Sequence, residues 1–141
     1  MKEDKFALFL GTNEYIVGHH LLQAHAKAYR LYKRDFERSQ KGKVGISLNI
    51  NWFEPLDFTN PAHIQAAETK LQFFGGWFGH PIFVNGDYPP VMREKIKPIS
   101  RLPTWTEEDK AEIFQSSDFL GNWHCPSGQT ILIQRSLDPG R

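Results

Sequence analysis

The change of hydrophobic period near Lys43 is the feature that most constrains the fold of this chain. Residues 15–38 carry apolar side chains at three- and four-residue spacing, whereas apolar and small polar side chains alternate from Val44 to Asn51. The first spacing predicts an amphipathic helix, and the second predicts a strand with two different faces. Further helix and strand patterns follow, and this order indicates an α/β fold with a parallel sheet.

The long helix has one apolar stripe, which we expect to face the core. The members of the stripe are Val17, Leu21, Ala24, Ala28, Leu31, Tyr32 and Phe36. Lys41-Gly42-Lys43 should end the helix. Glycine adopts the left-handed conformation past a helix end, and cations suit the negative pole of the helix dipole.

The strand differs from an ordinary surface strand in its polar face. That face is made of Gly45, Ser47, Asn49 and Asn51. A solvent-facing sheet usually carries longer charged residues, so small and amide side chains favour the crowded interior of a barrel. The apolar face would then lie under helices. Pro55 should prevent the strand from continuing, because proline cannot donate to the ladder.

The remaining patterns predict a second helix, a long loop, a third helix and further strands. The second helix should start at Asn60-Pro61 and end or kink at Gly75-Gly76. Its predicted apolar face contains Ile64, Ala67, Leu71 and Phe74. Residues 77–103 are predicted to be irregular, apart from a short helix at about 91–96. A capped helix begins at Thr106, and strands are expected from 117–121 and over 130–133.

Composition excludes several classes of protein. The chain has 17 Lys+Arg against 16 Asp+Glu and no glycine-rich phosphate loop, which argues against nucleic acid and nucleotides as partners. The apolar stretches are too short for a membrane-spanning helix or a convincing signal peptide, and localisation is left open. A single cysteine, Cys125, cannot form an intramolecular disulfide. The 6 histidines lack a carboxylate cluster, so we interpret them as ordinary helix and surface residues and expect no metal or cofactor.

Several motifs follow one another in a characteristic order, at 15–29, 45–49, 52–55, 76–82, 86–89, 102–108 and 117–121. Together they resemble glycoside hydrolase family one, in particular its lactase, cytosolic β-glucosidase and klotho-like branch. The resemblance implies a partial (β/α)8 TIM barrel of about two βα units, around strands five and six. A whole barrel needs about 250 residues, so we expect the chain to be an internal fragment.

The resemblance divides the chain into three parts. Residues 1–14 form an unplaced amino-terminal segment, residues 15–121 the partial glycosidase barrel, and residues 122–141 a divergent tail. The tail replaces a family motif whose tyrosine orients the nucleophile.

The chemistry implied by the resemblance is retaining hydrolysis of β-glycosides by two glutamates, without a cofactor. The family's Asn-Glu-Pro and Glu-Asn-Gly motifs are both absent from this sequence. Thr12-Asn13-Glu14 imitates the first motif, but Tyr15 replaces the proline, and the family places its glutamate upstream of this helix. No catalytic residue is therefore assigned, and we expect the chain alone to be inactive although its parent binds a β-glycoside substrate.

Asn51 and Trp52 are the candidate substrate-binding residues. They follow a strand end, which is where barrel enzymes carry their chemistry. An aromatic ring can stack on a pyranose and an amide can bridge hydroxyls, although Trp52 could equally be a packing residue of the barrel. Glu54 is interpreted as structural, because one acid cannot run a mechanism that needs two carboxylates.

A non-catalytic, klotho-like binding protein is the alternative function. It requires a stable fold, whereas an open part of a barrel exposes strand edges and apolar surface. We therefore expect the isolated chain to aggregate or to pack loosely.

Overall fold

The computed structural model describes residues 12–96, 101–123 and 130–133, which form a three-stranded sheet beside a layer of helices. Residues 1–11, Cys125 and most of the predicted tail lie outside the described residues. The helices are α1 (Asn13–Asp35), α2 (Glu37–Gln40), α3 (Pro61–Leu71), α4 (Trp77–His80), α5 (Pro90–Lys95) and α6 (Glu107–Ile113). The strands are β1 (Ile46–Leu48), β2 (Leu120–Trp123) and β3 (Thr130–Ile133). Among the described helices, none has the length and hydropathy needed to span a membrane.

The sheet has the order β1-β2-β3. β1 runs parallel to β2, with Ile46 opposite Leu120 and Ser47 opposite Gly121, and β2 runs antiparallel to β3. The predicted parallel pairing and the predicted strand at 130–133 are both confirmed. β1 is shorter than the alternating run that predicted it, because its ladder with β2 ends at Leu48.

The predicted long helix is confirmed as α1, but the face predicted to be its core face is wrong. Val17 and Leu21 are each 56% exposed. The buried residues of α1 are Gly18, His19, Leu22, Ala26 and Tyr29. Two of these residues, His19 and Tyr29, carry a polar group on an aromatic ring, and that group hydrogen-bonds to a residue outside α1. Hydropathy alone therefore selects the wrong stripe.

The end of this helical region depends on Lys41 rather than on Gly42. Lys41 takes the left-handed conformation, with φ of 52°, and its N–H donates to the Glu37 carbonyl. The prediction that the glycine adopts this conformation is wrong. Gly42 permits a close approach instead, because its N–H donates to the Tyr32 hydroxyl at 2.9 Å and a Cβ there would lie 2.4 Å from that oxygen.

The second helix begins as predicted but continues much further. The Asn60 side chain accepts a hydrogen bond from the Ala62 N–H at 3.0 Å. Beyond α3 the helical path passes through π-helical segments at Gln72–Gly76 and Pro81–Asn85, separated by α4. The helical path therefore does not end at Gly75-Gly76, and the predicted irregular start at 77 is wrong. The kink predicted as the alternative falls in the π-helical segment Gln72–Gly76 and stays a prediction.

Gly75 explains why the predicted stop fails. A Cβ on this residue would lie 2.9 Å from Cγ2 of Ile50, so the glycine lets the helix pack closely against the chain leaving β1. The helical path instead ends at Gly86, which has φ of 81°. The predicted apolar face is only partly covered, because Ala67 and Leu71 are half-buried whereas Ile64 is 46% exposed and Phe74 is 43% exposed.

The core of the described structure lies mainly in the helical layer. Its buried members are Leu22, Ala26, Ile82, Tyr88, Met92, Ile96, Leu102, Trp105 and Ile113. Ile46 of β1 packs against this cluster from the sheet. α5 confirms the short helix predicted at about 91–96. The predicted cap of α6 is also confirmed, since the Thr106 side chain accepts from the Asp109 N–H while the Asp109 carboxylate accepts from Thr106.

The carboxylate of Asp118 joins the helical layer to the sheet. It accepts hydrogen bonds from the Tyr29 hydroxyl at 2.9 Å and the Val44 N–H at 2.8 Å, and it pairs with Lys33 Nζ at 2.9 Å. Burial raises the pKa of Asp118, but the bonds from Lys33, Val44 and Tyr29 outweigh burial and hold the pKa below its ordinary value. We call this group the Asp118 anchor.

Substitution of Gly86 should destabilise the chain much more than substitution of Gly79. A Cβ at Gly86 would lie 2.5 Å from the Lys110 carbonyl oxygen and would force a side chain into a left-handed conformation. We expect Gly86→Ala to lower the free energy of unfolding by about 2 kcal/mol or more. Gly79→Ala, in a helix with open space around it, should be neutral or gain up to about 1 kcal/mol. Urea unfolding checks both variants, and equal effects would contradict the structure.

Asp118→Asn should destabilise the chain and weaken its sensitivity to acid. Loss of the charged acceptor should lower the free energy of unfolding by about 1–3 kcal/mol at pH 7. The folded pKa of Asp118 lies below the unfolded value, so the carboxylate's contribution is present above about pH 4 and is lost as pH falls through the folded pKa. Acid unfolding curves should therefore be flatter for the variant. Asp35→Asn, at an exposed carboxylate paired with its neighbour Arg34, is the matched control and should leave stability unchanged.

Candidate functional site

The candidate site lies where β1 and β2 end. Parallel strands present their carboxyl ends at the same edge of a sheet, and barrel enzymes build their sites from the loops there. Beyond the ladder, the Ile50 N–H donates to Oδ1 of Asn122 at 3.1 Å, which holds the chain leaving β1 beside β2. This bond places the candidate residues Asn51 and Trp52 directly after the point where the two strands are joined.

Asn51 and Trp52 occupy different surroundings. Asn51 is half-buried, whereas Trp52 is 70% exposed. Trp52 also lines a cavity of about 390 Å³, to which Asn51 does not contribute. The two predicted residues are adjacent in sequence, but they do not share this cavity.

The cavity beside Trp52 lies between the segment following β1 and helix α3. Its lining residues are Trp52, Phe53, Glu54, Pro55, Leu56, His63, Ala66, Ala67 and Lys70. We call it the Trp52 cavity. The α3 wall of the Trp52 cavity has no signal in the sequence, because the loop alone does not show which helix packs beside it.

Phe53 forms a fixed wall of the Trp52 cavity. Its ring meets Phe74 edge-on, with centroids 5.5 Å apart, and Nζ of Lys70 lies 4.6 Å from its centroid. The latter distance is that of a cation–π contact. His63 lines the same cavity, and its buried Nδ1 has no hydrogen-bond partner among the described residues. The cavity thus combines aromatic rings with groups of both charges.

Glu14 and Glu54 do not form a pair of facing carboxylates. Glu14 lies in the first turn of α1 and lines a groove with Val17, Leu21 and Trp77. Glu54 lines the Trp52 cavity instead, so the two acids border different cavities. This arrangement gives no support to a two-carboxylate mechanism involving Glu14.

Two histidines of α1 dock this helix onto the rest of the fold. His19 Nδ1 lies 3.0 Å from the Tyr88 hydroxyl, and its ring stacks on Trp105 with centroids 3.6 Å apart. His25 Nε2 donates to the Ser116 carbonyl at 2.8 Å. Burial lowers the pKa of both histidines. His19 is a helix residue, as interpreted from the sequence, but at 8% exposure it is a buried packing residue rather than a surface one.

Comparison with known proteins identifies the family. The family model described as glycosyl hydrolase family 1 matches residues 10–131. The chain belongs to this family. It is 45% identical to lactase/phlorizin hydrolase of Rattus norvegicus over 136 residues, which cover 91% of the chain and 7% of that protein.

Two further relatives agree with this membership. Klotho of Rattus norvegicus is 45% identical over 121 residues, covering 84% of this chain and 12% of that protein. A crystal structure of a double mutant of the β-glucosidase from Trichoderma harzianum superposes with a TM-score of 0.74 at 41% identity, covering 79% of this chain and 24% of that one. The chain thus spans about a quarter or less of these relatives.

Membership of family 1 explains the architecture described above. The family's enzymes are (β/α)8 TIM barrels, and the parallel β1–β2 pair with its helical crossover is a portion of that fold. The predicted family is confirmed, and the predicted fold class is confirmed to the extent that the chain is part of a TIM barrel.

The stability of the chain should fall as the pH drops below about 6.5. His19 has a lowered pKa in the folded state, so the unfolded state takes up its proton first. Its contribution to stability is present above the ordinary value of 6.5 and declines as pH falls toward the folded pKa. His19→Gln should reduce this decline between pH 7 and pH 5, measured by urea unfolding. His20→Gln, at an exposed position on the same helix, removes only the smaller, electrostatic cause of the lowered His19 pKa and should retain most of the decline. Identical pH profiles for the two variants would contradict the burial argument.

Proposed function

We propose that this chain is the middle part of a retaining β-glycosidase of the β-glucosidase or β-galactosidase type. On this proposal β1 is strand five of the barrel, β2 is the start of strand six, and α1 is the helix after strand four. The observation that carries the proposal is the parallel β1–β2 pair with Asn51 and Trp52 at its carboxyl end, in a chain 41% identical to a solved β-glucosidase.

The role proposed for this segment is to bind the sugar rather than to cleave it. The Asn51 amide would bridge hydroxyls of the substrate, and the exposed Trp52 ring would stack on a pyranose face. In retaining enzymes the acid/base and the nucleophile are carboxyls about 5–5.5 Å apart. The family's two glutamate motifs are absent from this sequence, and Glu14 and Glu54 border different cavities. Cleavage would therefore require parts of a barrel that this chain does not supply.

The 141-residue chain should show no hydrolysis of a chromogenic β-glucoside above the buffer rate. The reason is the absence of both glutamate motifs. Initial rates measured at micromolar protein check this expectation. Turnover that survives both Glu14→Gln and Glu54→Gln would contradict the inference that the chain lacks the catalytic residues. Glu14 is the nearest imitation of the acid/base motif, and Glu54 is the acid nearest in sequence to Asn51 and Trp52.

A chimera supplies the positive test of the same proposal. Residues 15–121 would replace the matching segment of the Trichoderma harzianum β-glucosidase, which retains its own two glutamates. We expect the chimera to hydrolyse a β-glucoside, and Asn51→Ala within it to raise KM by about tenfold, which corresponds to about 1.4 kcal/mol. A soluble, folded chimera without activity would contradict the proposed position of the segment in the barrel.

A non-catalytic binding protein is the second candidate. The similarity to klotho and the missing glutamate motifs favour it. Within the described residues β1 pairs only with β2, which leaves one edge of β1 open and argues for an incomplete sheet. A cooperative thermal transition from a monodisperse monomer would support the binding protein. Binding of a hydrophobic dye without a sharp transition would support the partial barrel.

A further inference from the structure

We propose that Asn122 is a positioning residue of the candidate site, which holds Asn51 and Trp52 where they meet the substrate. It acts through a neighbour, because Oδ1 of Asn122 accepts a hydrogen bond from the Ile50 N–H at 3.1 Å. The proposal rests on the proposed function, in which Asn51 and Trp52 bind a sugar. It adds a residue of β2 to a site whose other residues follow β1.

The bond from Ile50 continues the connection between β1 and β2 beyond their backbone ladder. The ladder ends with Leu48 opposite Asn122, two residues before Ile50. The Asn122 side chain reaches past this last pair and supplies its amide oxygen as the acceptor. The bond is partly buried, so water is a poor substitute for the lost acceptor. Removal of the amide oxygen should therefore release the chain at Ile50.

Ile50 is fixed from two sides. Its N–H is bonded to β2, and its side chain packs against Gly75, where a Cβ would lie 2.9 Å from Cγ2 of Ile50. The next fixed residue along the chain is Phe53, whose ring lies edge-on to Phe74 with centroids 5.5 Å apart. The two candidate residues lie between these points, so Ile50 and Phe53 together set the path of their backbone.

The exposure of Trp52 makes this backbone path decisive for the site. A side chain that is 70% exposed is held only weakly by the atoms around it, so the position of the ring depends on the backbone that carries it. Asn51 follows the bonded residue directly. The groups of a binding site must be held within about 0.5 Å of their productive geometry, and supporting hydrogen bonds supply that precision. Loss of the Asn122 bond should therefore weaken sugar binding while the helical layer keeps its structure.

Ser117 provides a matched control at the opposite end of the same strand. Its Oγ accepts a hydrogen bond from the Ile46 N–H at 3.1 Å, which is also the length of the Asn122 bond. The Ile46 N–H lies 3.2 Å from the Phe119 carbonyl as well, so Ser117→Ala should still fold. Both substitutions remove a side-chain acceptor from the β1 backbone, but only Asn122 lies beside the candidate residues. A merely structural role for Asn122 predicts equal effects on sugar binding, and a positioning role predicts unequal ones.

Amide exchange and a sugar titration of the full chain, both followed by NMR, test the proposal. The 141-residue chain is fused to a soluble carrier without affinity for sugars. In Asn122→Leu we expect the Ile50 amide to exchange about tenfold faster and the Kd for methyl β-D-glucopyranoside to rise by about tenfold. Asn122→Asp keeps an acceptor oxygen, so both values should return to those of the parent. Ser117→Ala should leave both unchanged.

Two results would overturn the proposal. One is an unchanged exchange rate of the Ile50 amide in Asn122→Leu, and the other is equal weakening of sugar binding in Asn122→Leu and Ser117→Ala. Failure of Asn122→Asp to restore slow exchange would also count against the acceptor oxygen. Absence of sugar binding by the parent fusion would contradict the proposed function instead, because Asn122 is intact there. The exchange rates then still decide whether Asn122 holds the segment that follows β1.

Discussion

The hydrogen bonds to one carboxylate, that of Asp118, join α1 to the segments that lead into β1 and β2. Tyr29 and Lys33 come from α1, Val44 precedes β1, and Asp118 itself precedes β2. The Asp118 N–H also donates to the Val44 carbonyl at 2.7 Å, so the two segments are held by bonds in both directions. A buried carboxylate is costly unless its oxygens are fully used, and here three donors use them.

The position of α1 against α6 follows from a second set of polar contacts. The Arg30 guanidinium donates to the carbonyls of Ala111, Glu112 and Phe114, which lie at the end of α6. These carbonyls have no partner within their own helix, and a cation is well matched to them. Arg30 is exposed, and its guanidinium nevertheless caps another helix. α1 is fixed at one end by aromatic stacking and along its length by bonds to backbone and carboxylate groups.

Local signals in the sequence predict where helices and strands begin better than they predict which face of each helix is buried. Three predictions that depend on neighbouring residues or on short-range pattern are confirmed. They are the helix caps at Asn60 and Thr106, the strand in the alternating run after Lys43, and the parallel order of the strands. The buried face of α1 was missed because His19 and Tyr29 count as polar until their distant partners are known. A glycine pair in a helical pattern predicts an end or a kink, whereas Gly75 allows close packing against Ile50, which no local pattern shows. The place of Trp52 after a strand predicts a binding residue, which stays a prediction, whereas the α3 residues beside it are evident only from the tertiary structure.

The pairing of β1 with β2 has a consequence for the order in which the chain acquires its structure. Val44 and Asp118 are 74 residues apart, and closing a flexible loop of that length costs about 4 kcal/mol in chain entropy. A ladder of three residues cannot offset such a cost alone. The crossover must first be shortened by its own helices, whose contacts are more local. We therefore expect the strands to meet only after the helical layer has collapsed, so that mutations in that layer would slow the formation of the sheet even at residues that do not contact it.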